Sequence, residues 1–456
     1  MGRFPLLGKL AALAAVLVGL MVALGQVVGI VKEREGRLHE AQASVAASLA
    51  AQQHLIGPFL QRRCEETWFD QLVDGKEVRR IQQRREFQLV AAPRQLDIDA
   101  IATLEPRYRG LFKVNGYVLK ADLAAQWASL DALQPKAEHA ASQLRCDEAV
   151  VVVALGDARG IRHVQVKTGS ATLDARPGTP RSKLPHGFHA VVPPDVFNAG
   201  APFAVQVRAE LVGTQAVAIA PVGEQTQVRL RSDWPHPSFQ GRFLPVERAV
   251  TEGGFDARWR ISALASSAPR DVRTDTADVE SFSVSFVDPV NAYVLSDRAT
   301  KYGMLFVMLT FIAVALVELL RKVRVHPLQY LLVGSALTVF FLLLVSLSEH
   351  LPFVWAYAAA SLACTALLAF YATHILGGVQ AGSRFGALVA VLYGALYLLL
   401  QLEQTSLVLG SLLLFGALAA VMVLTRKLNW YQLVEQLRTP ATRAQALSGL
   451  AAPPAA

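Results

Sequence analysis

Within residues 295–311, Leu-Ser-Asp-Arg-Ala-Thr-Lys-Tyr-Gly-Met-Leu-Phe-Val-Met-Leu-Thr-Phe, long polar sequence gives way to almost unbroken apolar sequence. Beyond this junction the chain is limited by the thickness of a bilayer core, which about 20 helical residues cross. Runs near that length occur at 303–320, 328–347, 353–375, 385–402 and 407–424. A sixth lies at the other end of the polar region, where Arg3 and Lys9 lead into residues 10–31 and Lys32-Glu33-Arg34-Glu35 closes the run. It reads as a retained signal anchor rather than a cleaved signal peptide. Ala23 and Gly25 would satisfy the small-residue rule for cleavage, but apolar sequence continues past them through Val27, Val28 and Ile30.

Basic residues set the orientation. Arg321, Lys322 and Arg324, then Arg384, then Arg426, Lys427, Arg438 and Arg443 fall on alternate connections, whereas 348–352 and 403–406 carry no Lys or Arg. The positive-inside rule then puts both termini in the cytoplasm and the polar region outside. The formal charge of +8 does not describe that region, because residues 33–300 hold 32 Lys and Arg against 32 Asp and Glu. The excess belongs to the apolar segments and their flanks, so it is a topology signal and not a nucleic-acid footprint.

Within 33–300, a helix is expected to continue to about Leu55, on the spacing of Leu38, Ala41, Val45 and Leu49. Residues 86–90, 108–119, 149–155, 203–212, 225–231, 255–261 and 282–287 are strand-prone, several alternate apolar with polar, and Gly, Pro, Asn and Asp separate them. A mainly antiparallel sandwich or pair of sheets is expected. Residues 149–166 read as a hairpin turning at Gly156-Asp157-Ala158-Arg159-Gly160, and 266–278 as a surface loop. The expected fold class is therefore a membrane protein, α+β, with six transmembrane helices and a large mainly-β extracytoplasmic domain between the first and second. Its divisions are an anchor (1–32), a periplasmic domain (33–300), a five-helix bundle (301–430) and a cytoplasmic tail (431–456), disordered over its last, Ala- and Pro-rich part.

Reactive constellations are scarce. No Gly-rich phosphate loop, dinucleotide fingerprint or His-Glu-x-x-His pair occurs; His39-Glu40 begins such a pair, but Ala43 stands where the second His belongs. Cys64, Cys146 and Cys364 have no CxxC or Cys/His spacing, so neither metal nor cofactor is expected. Cys64 and Cys146 share the polar domain, and whether they bridge depends on a Cα separation that sequence does not give. Asp233, His236 and Ser238 in the Ser232-Asp233-Trp234-Pro235-His236-Pro237-Ser238-Phe239 string suggest a hydrolase triad only superficially, since neighbours in a proline-stiffened loop rarely reach triad geometry. That loop reads instead as a rigid partner site.

Topology gathers Asp297, Arg298, Lys301, Glu349, His350 and Glu403 at the external face, where Asp297 or Glu349 would pair with Arg298 or Lys301 and couple domain to bundle. At the opposite face Glu318 is spaced to pair with Lys322, and Pro327 and Tyr330 suit a helix start at headgroup level. Gly386, Ala390 and Gly394, and the small residues of 356–360, suggest close helix packing. The later spans have no mid-membrane ionisable residues, which argues against an ion-coupled pump.

Several long strings together identify a family. They are Leu155-Gly156-Asp157-Ala158-Arg159-Gly160-Ile161, the 232–239 string with Gly241 and Phe243-Leu244-Pro245, Ser296-Asp297-Arg298-Ala299-Thr300-Lys301-Tyr302, His326-Pro327-Leu328-Gln329-Tyr330-Leu331-Leu332-Val333-Gly334, and Leu347-Ser348-Glu349-His350. Across most of its length the chain resembles the CreD family of bacterial inner-membrane proteins. The resemblance implies a cell-envelope integrity protein, linked to a two-component CreBC regulon and to altered tolerance of colicins and β-lactams, with no established catalytic residues. The chain departs from the family pattern after Gly57-Pro58, where Gln61-Arg62-Arg63-Cys64 interrupts the usual apolar strand and implies a shorter or displaced first strand; the cysteine pair is not a family feature.

The function expected is that of a non-enzymatic envelope-integrity and stress-response protein whose outer domain binds an envelope protein or peptidoglycan-related ligand and couples to the bundle. Asp157, Arg159, Asp233, Trp234, His236, Asp297, Arg298, Lys301, Glu349 and His350 are the candidate coupling and partner residues. A transporter or lipid-handling protein is the first alternative, and a membrane-associated hydrolase acting through His236 or His350 the second.

Overall fold

The computed structural model describes residues 5–74, 77–194, 197, 200–286, 288, 292–321, 325–402 and 406–426. The chain forms two compact units, one from residues 38–289 and one from residues 1–37 with 290–456.

In the first unit, among the described residues, strands build a nine-stranded and an eight-stranded sheet. The strands that bear on the site are β1 (Gln53–Asp74), β2 (Glu77–Ala91), β3 (Gln95–Arg109), β4 (Phe112–Trp127), β5 (Gln143–Cys146), β6 (Val150–Ala154) and β7 (Ile161–Thr168). Along one line the larger sheet runs Ser238–Gly241, Phe282–Ser285, Ala216–Ala220, β1, β6, Gly187–Val191, Ala175–Pro177, with β2 and β5 also paired to β1. The smaller runs Glu247–Thr251, Gly254–Ser262, Gln225–Ser232, β3, β4, Phe203–Thr214, β7, Ala171–Leu173. Period-2 alternation explains the smaller sheet: Leu96, Ile98, Ala100 and Ala102 of β3, and Leu119, Ala121, Leu123, Ala125 and Trp127 of β4, all point into one core. Asp99, Asp122, Arg208 and Arg231 stand on the other face in ion pairs. β6 is instead buried on both sides, as befits the middle of the larger sheet.

Four sequence expectations are corrected here. Residues 149–166 form no hairpin: β6 belongs to the larger sheet and β7 to the smaller, so the loop at 156–160 carries the chain between them. The first strand is not short: β1 spans 22 residues, bulges between Ile56 and Phe59 around a cis Gly57–Pro58 bond, and carries Gln61-Arg62-Arg63 within its ladder to β2. The N-terminal helix stops at Ser48, and Gln53 already pairs as strand. Residues 266–278 hold a short helix, α2 (Ala268–Arg273), whose Ala268 and Val272 reach the core. The question of the cysteines is also answered, since Cys64 and Cys146 face each other in the β1/β5 register and form a disulfide. Next to it, buried Glu66 accepts hydrogen bonds from the amides of Glu138 and His139 and from the Ser142 hydroxyl, which hold its carboxyl below the usual range.

The second unit holds α1 (Pro5–Ser48, as far as Arg37), α3 (Ala292–Arg321), α4 (Pro327–Ser348), α5 (Phe353–Ile375), α6 (Val379–Gln401) and α7 (Ser406–Thr425). All six are long and apolar enough to cross a membrane. Successive helices from α3 to α6 pack as neighbours around an aromatic core of Phe340, Tyr357 and Tyr393. α1 belongs to this core: Leu20 fills the space where a Cβ on Gly334 would stand, and Leu24 lies against Gly303. On α6 the close-packing residues are Gly382 and Gly386, against Thr373 and Ala369 of α5, while Ala390 and Gly394 face outward, so the stripe lies one turn earlier than its spacing suggested. α7 is apolar and exposed nearly all round, as a lipid-facing helix would be.

Candidate functional site

The best-built polar site lies in the β unit, on the loop between β6 and β7. Asp157 Oδ1 accepts from Arg159 N and Nε, both at 3.0 Å, and Oδ2 accepts from Arg159 Nη2 at 2.6 Å and from Ala51 N at 3.0 Å. Arg159 in turn donates through Nη1 and Nη2 to the carbonyls of Ala47 and Ala46 in the last turn of α1. A helix end leaves its final carbonyls unpaired and carries partial negative charge, and a guanidinium answers both needs. Held chiefly by its bonds to Arg159, and despite partial burial, the Asp157 carboxyl titrates down at about 2.

The surroundings make this clamp rigid. Gln53 is fully buried, and its Nε2 donates to Val212 O at 2.8 Å and Asp157 O at 3.0 Å. Tyr117 Oη accepts from Gln53 N at 3.3 Å and donates to Ala216 O at 2.7 Å. The flanking glycines are there for space: a Cβ on Gly160 would lie 2.2 Å from Val212 O and 2.3 Å from Gln53 Nε2, and one on Gly156 2.6 Å from Gln52 O. The Gly-Asp-Ala-Arg-Gly string is thus an Asp/Arg clamp between two glycines that let backbone approach.

The 232–239 loop is built otherwise. Trp234 is buried in the core and its Nε1 donates to His236 O at 2.8 Å, while Asp233 Oδ1 accepts from Leu104 N at 3.0 Å. His236 is exposed, and no hydrogen bond joins Asp233, His236 and Ser238 among the described residues. The loop is stiff, and no triad is assembled.

In the bundle, Asp297 pairs with Lys301 one turn along α3 at 2.6 Å. Glu349, at the C-cap of α4, pairs with Arg34 of α1 at 3.2 Å, and its side chain is 9% exposed. Arg298 is half-buried and His350 exposed. Glu403 and Lys322 lie outside the described residues, as do Arg324, Lys427, Arg438, Arg443 and the 431–456 tail. Glu318 pairs with Lys9 of α1 and accepts from Tyr330 Oη of α4 at 2.9 Å. Sequence reasoning missed Lys9 as a partner; the signal was a base at the start of one apolar run and a lone acid inside another. Lys9 and Arg34 are roughly 38 Å apart along a helix rising 1.5 Å per residue. That exceeds an apolar core of about 30 Å, so ion pairs pin α1 near both water boundaries. The His326-Pro327-Leu328-Gln329 string is a capping box: His326 accepts from Leu328 N, and His326 N donates to Gln329 Oε1 at 2.9 Å.

Six apolar helices with a large mainly-β unit between the first and second define a multi-pass membrane protein of distinctive build. Residues 5–431 match the family model described as inner membrane protein CreD. The chain is also 32% identical, over 434 residues covering 94% of each sequence, to the inner membrane protein CreD of Escherichia coli (strain K12). The chain belongs to the CreD family, and with it to the multi-pass proteins of the inner membrane.

Proposed function

We propose that this protein works in envelope integrity and stress response without catalysing a reaction. Its β unit faces the periplasm, takes an envelope protein or peptidoglycan-related ligand there, and passes the occupied state to the bundle through α1. Both termini lie in the cytoplasm in this reading, as the distribution of Lys and Arg favours. The observation that carries it is the grip on α1. The Asp157/Arg159 clamp closes on its last turn within the β unit, and Lys9 and Arg34 fasten it to Glu318 and Glu349 within the bundle. A helix fastened in both units is suited to transmit a change in either.

A photo-crosslinking residue at His236, used in living cells, tests the reading. A specific envelope protein or wall fragment should be recovered, and recovery should survive Asp157→Ala while complementation of a chromosomal deletion is lost. Absence of any specific adduct under envelope stress would defeat the binding proposal; full complementation by the variant would defeat the coupling. A phosphatase reporter inserted at Gly253 should be active, and inactivity would reverse the orientation.

A further inference from the structure

We infer that the tip of the β3–β4 hairpin is a lipid-contacting element that seats the β unit on an anionic membrane surface. At this tip the turn Gly110-Leu111 joins Arg109 to Phe112. Tyr108 is 68% exposed and Leu111 58%, and Arg107, Arg109 and Lys113 are exposed around them. Residues 105–113 hold three bases and the single acid Glu105, which already binds Arg107 at 2.7 Å. Further along the same two strands the outward face has another character, with Asp99 paired to Arg231 and Asp122 to Arg208. An aromatic and an aliphatic side chain ringed by cations have no counterpart in that balanced ladder. They match the interface of a bilayer with anionic lipid, where Tyr sits at headgroup level and each base gains from the surface potential.

Position within the unit selects lipid as the occupant. Asn115 Nδ2 donates to Phe286 O at 2.7 Å, and a Cβ on Gly116 would lie 3.4 Å from Leu49 Cδ2. The hairpin therefore passes beside the residues where the chain enters and leaves the β unit, and its tip lies about 13 Å beyond them at 3.3 Å per residue. Both of those chain ends continue into helices that carry bilayer-length apolar runs: α1 ends at Ser48, past the run at 10–31, and α3 starts at Ala292, ahead of the run at 303–320. A cationic, apolar-tipped hairpin at that end of a tethered unit meets lipid at high effective concentration. This inference stands apart from the partner proposed above, and either can fail alone.

The test uses the full-length protein with Cys364→Ser and Leu111→Cys, carrying a nitroxide, in nanodiscs of phosphatidylcholine with or without phosphatidylglycerol. Cys64 and Cys146 are occupied with each other, which leaves one reactive thiol. Power saturation with phosphatidylglycerol present should show accessibility to oxygen severalfold above that to a nickel chelate. The same label at Leu264→Cys, a fully exposed position elsewhere in the unit, should show the reverse. Replacing Arg107, Arg109 and Lys113 with Gln should move the Leu111 label toward the aqueous pattern. The inference is overturned if the label reads as aqueous in anionic discs, or if it is shielded from both reagents, as contact with a protein or a second copy would make it.

Discussion

The loops at 156–160 and 232–239 look alike in sequence, each setting an Asp beside residues that stiffen or free the backbone, yet they are secured by opposite means. In the first, the charged side chains are the fastening and the glycines supply clearance, so Asp157 and Arg159 close on α1 while nothing large is buried. In the second, Trp234 enters the core, its amide donates to the buried Ser232 hydroxyl, and Asp233 accepts from the Leu104 amide, while His236 stays exposed. The first loop is fixed by polar bonds to residues 46–51, and the second hangs on a buried aromatic.

That contrast can be broken by substitutions read as the midpoint of denaturant unfolding, followed by near-ultraviolet circular dichroism on the full-length protein. Trp234→Ala should cost most, about 3–5 kcal/mol, since it empties an aromatic site in the core. Gly160→Ala comes next at about 3 kcal/mol, because neither Val212 O nor Gln53 can withdraw without breaking bonds. Asp157→Ala should cost about 2 kcal/mol through the loss of charge-assisted hydrogen bonds. It also carries a pH signature. The folded value of about 2 lies below the unfolded value of about 3.9, so this contribution is complete above about pH 4 and disappears as pH falls from there through 2. Asp157→Asn should lack that part of the acid dependence; a profile identical to the parent would show that the clamp is not the titrating element. His236→Ala should change stability by less than about 0.5 kcal/mol. If it equalled Asp157→Ala, the loops would not differ as described.

Much of this architecture was legible in the sequence, because lipid and β-sheet impose plain periods: six bilayer-length runs and alternating strands need no tertiary knowledge. The misreadings arose where local pattern underdetermines pairing. An apolar strand, a Gly-Asp turn and a second strand read alike whether the strands pair or part to different sheets; only the unbroken Val150–Ala154 run, set against the mixed polar and apolar residues of 161–168, hinted at the latter. Gln61-Arg62-Arg63 would interrupt a strand that simply turned one face to a core, whereas β1 there lies between β2 and β6 or β5. Of the candidate residues, Asp157 with Arg159 and Asp297 with Lys301 do meet. Glu349 found a partner from α1, which no local spacing in residues 295–350 could have named.

The disulfide has a bearing on how the molecule matures. Cys64 and Cys146, 82 positions apart, enclose β2, β3 and β4 in a covalent ring. Cytosolic reductants keep such thiols apart, so in the orientation proposed above the ring would close once the segment reaches the oxidising side of the membrane. Under that orientation insertion would precede thiol oxidation, and a copy stalled before export would be recognisable by its two free thiols, Cys64 and Cys146.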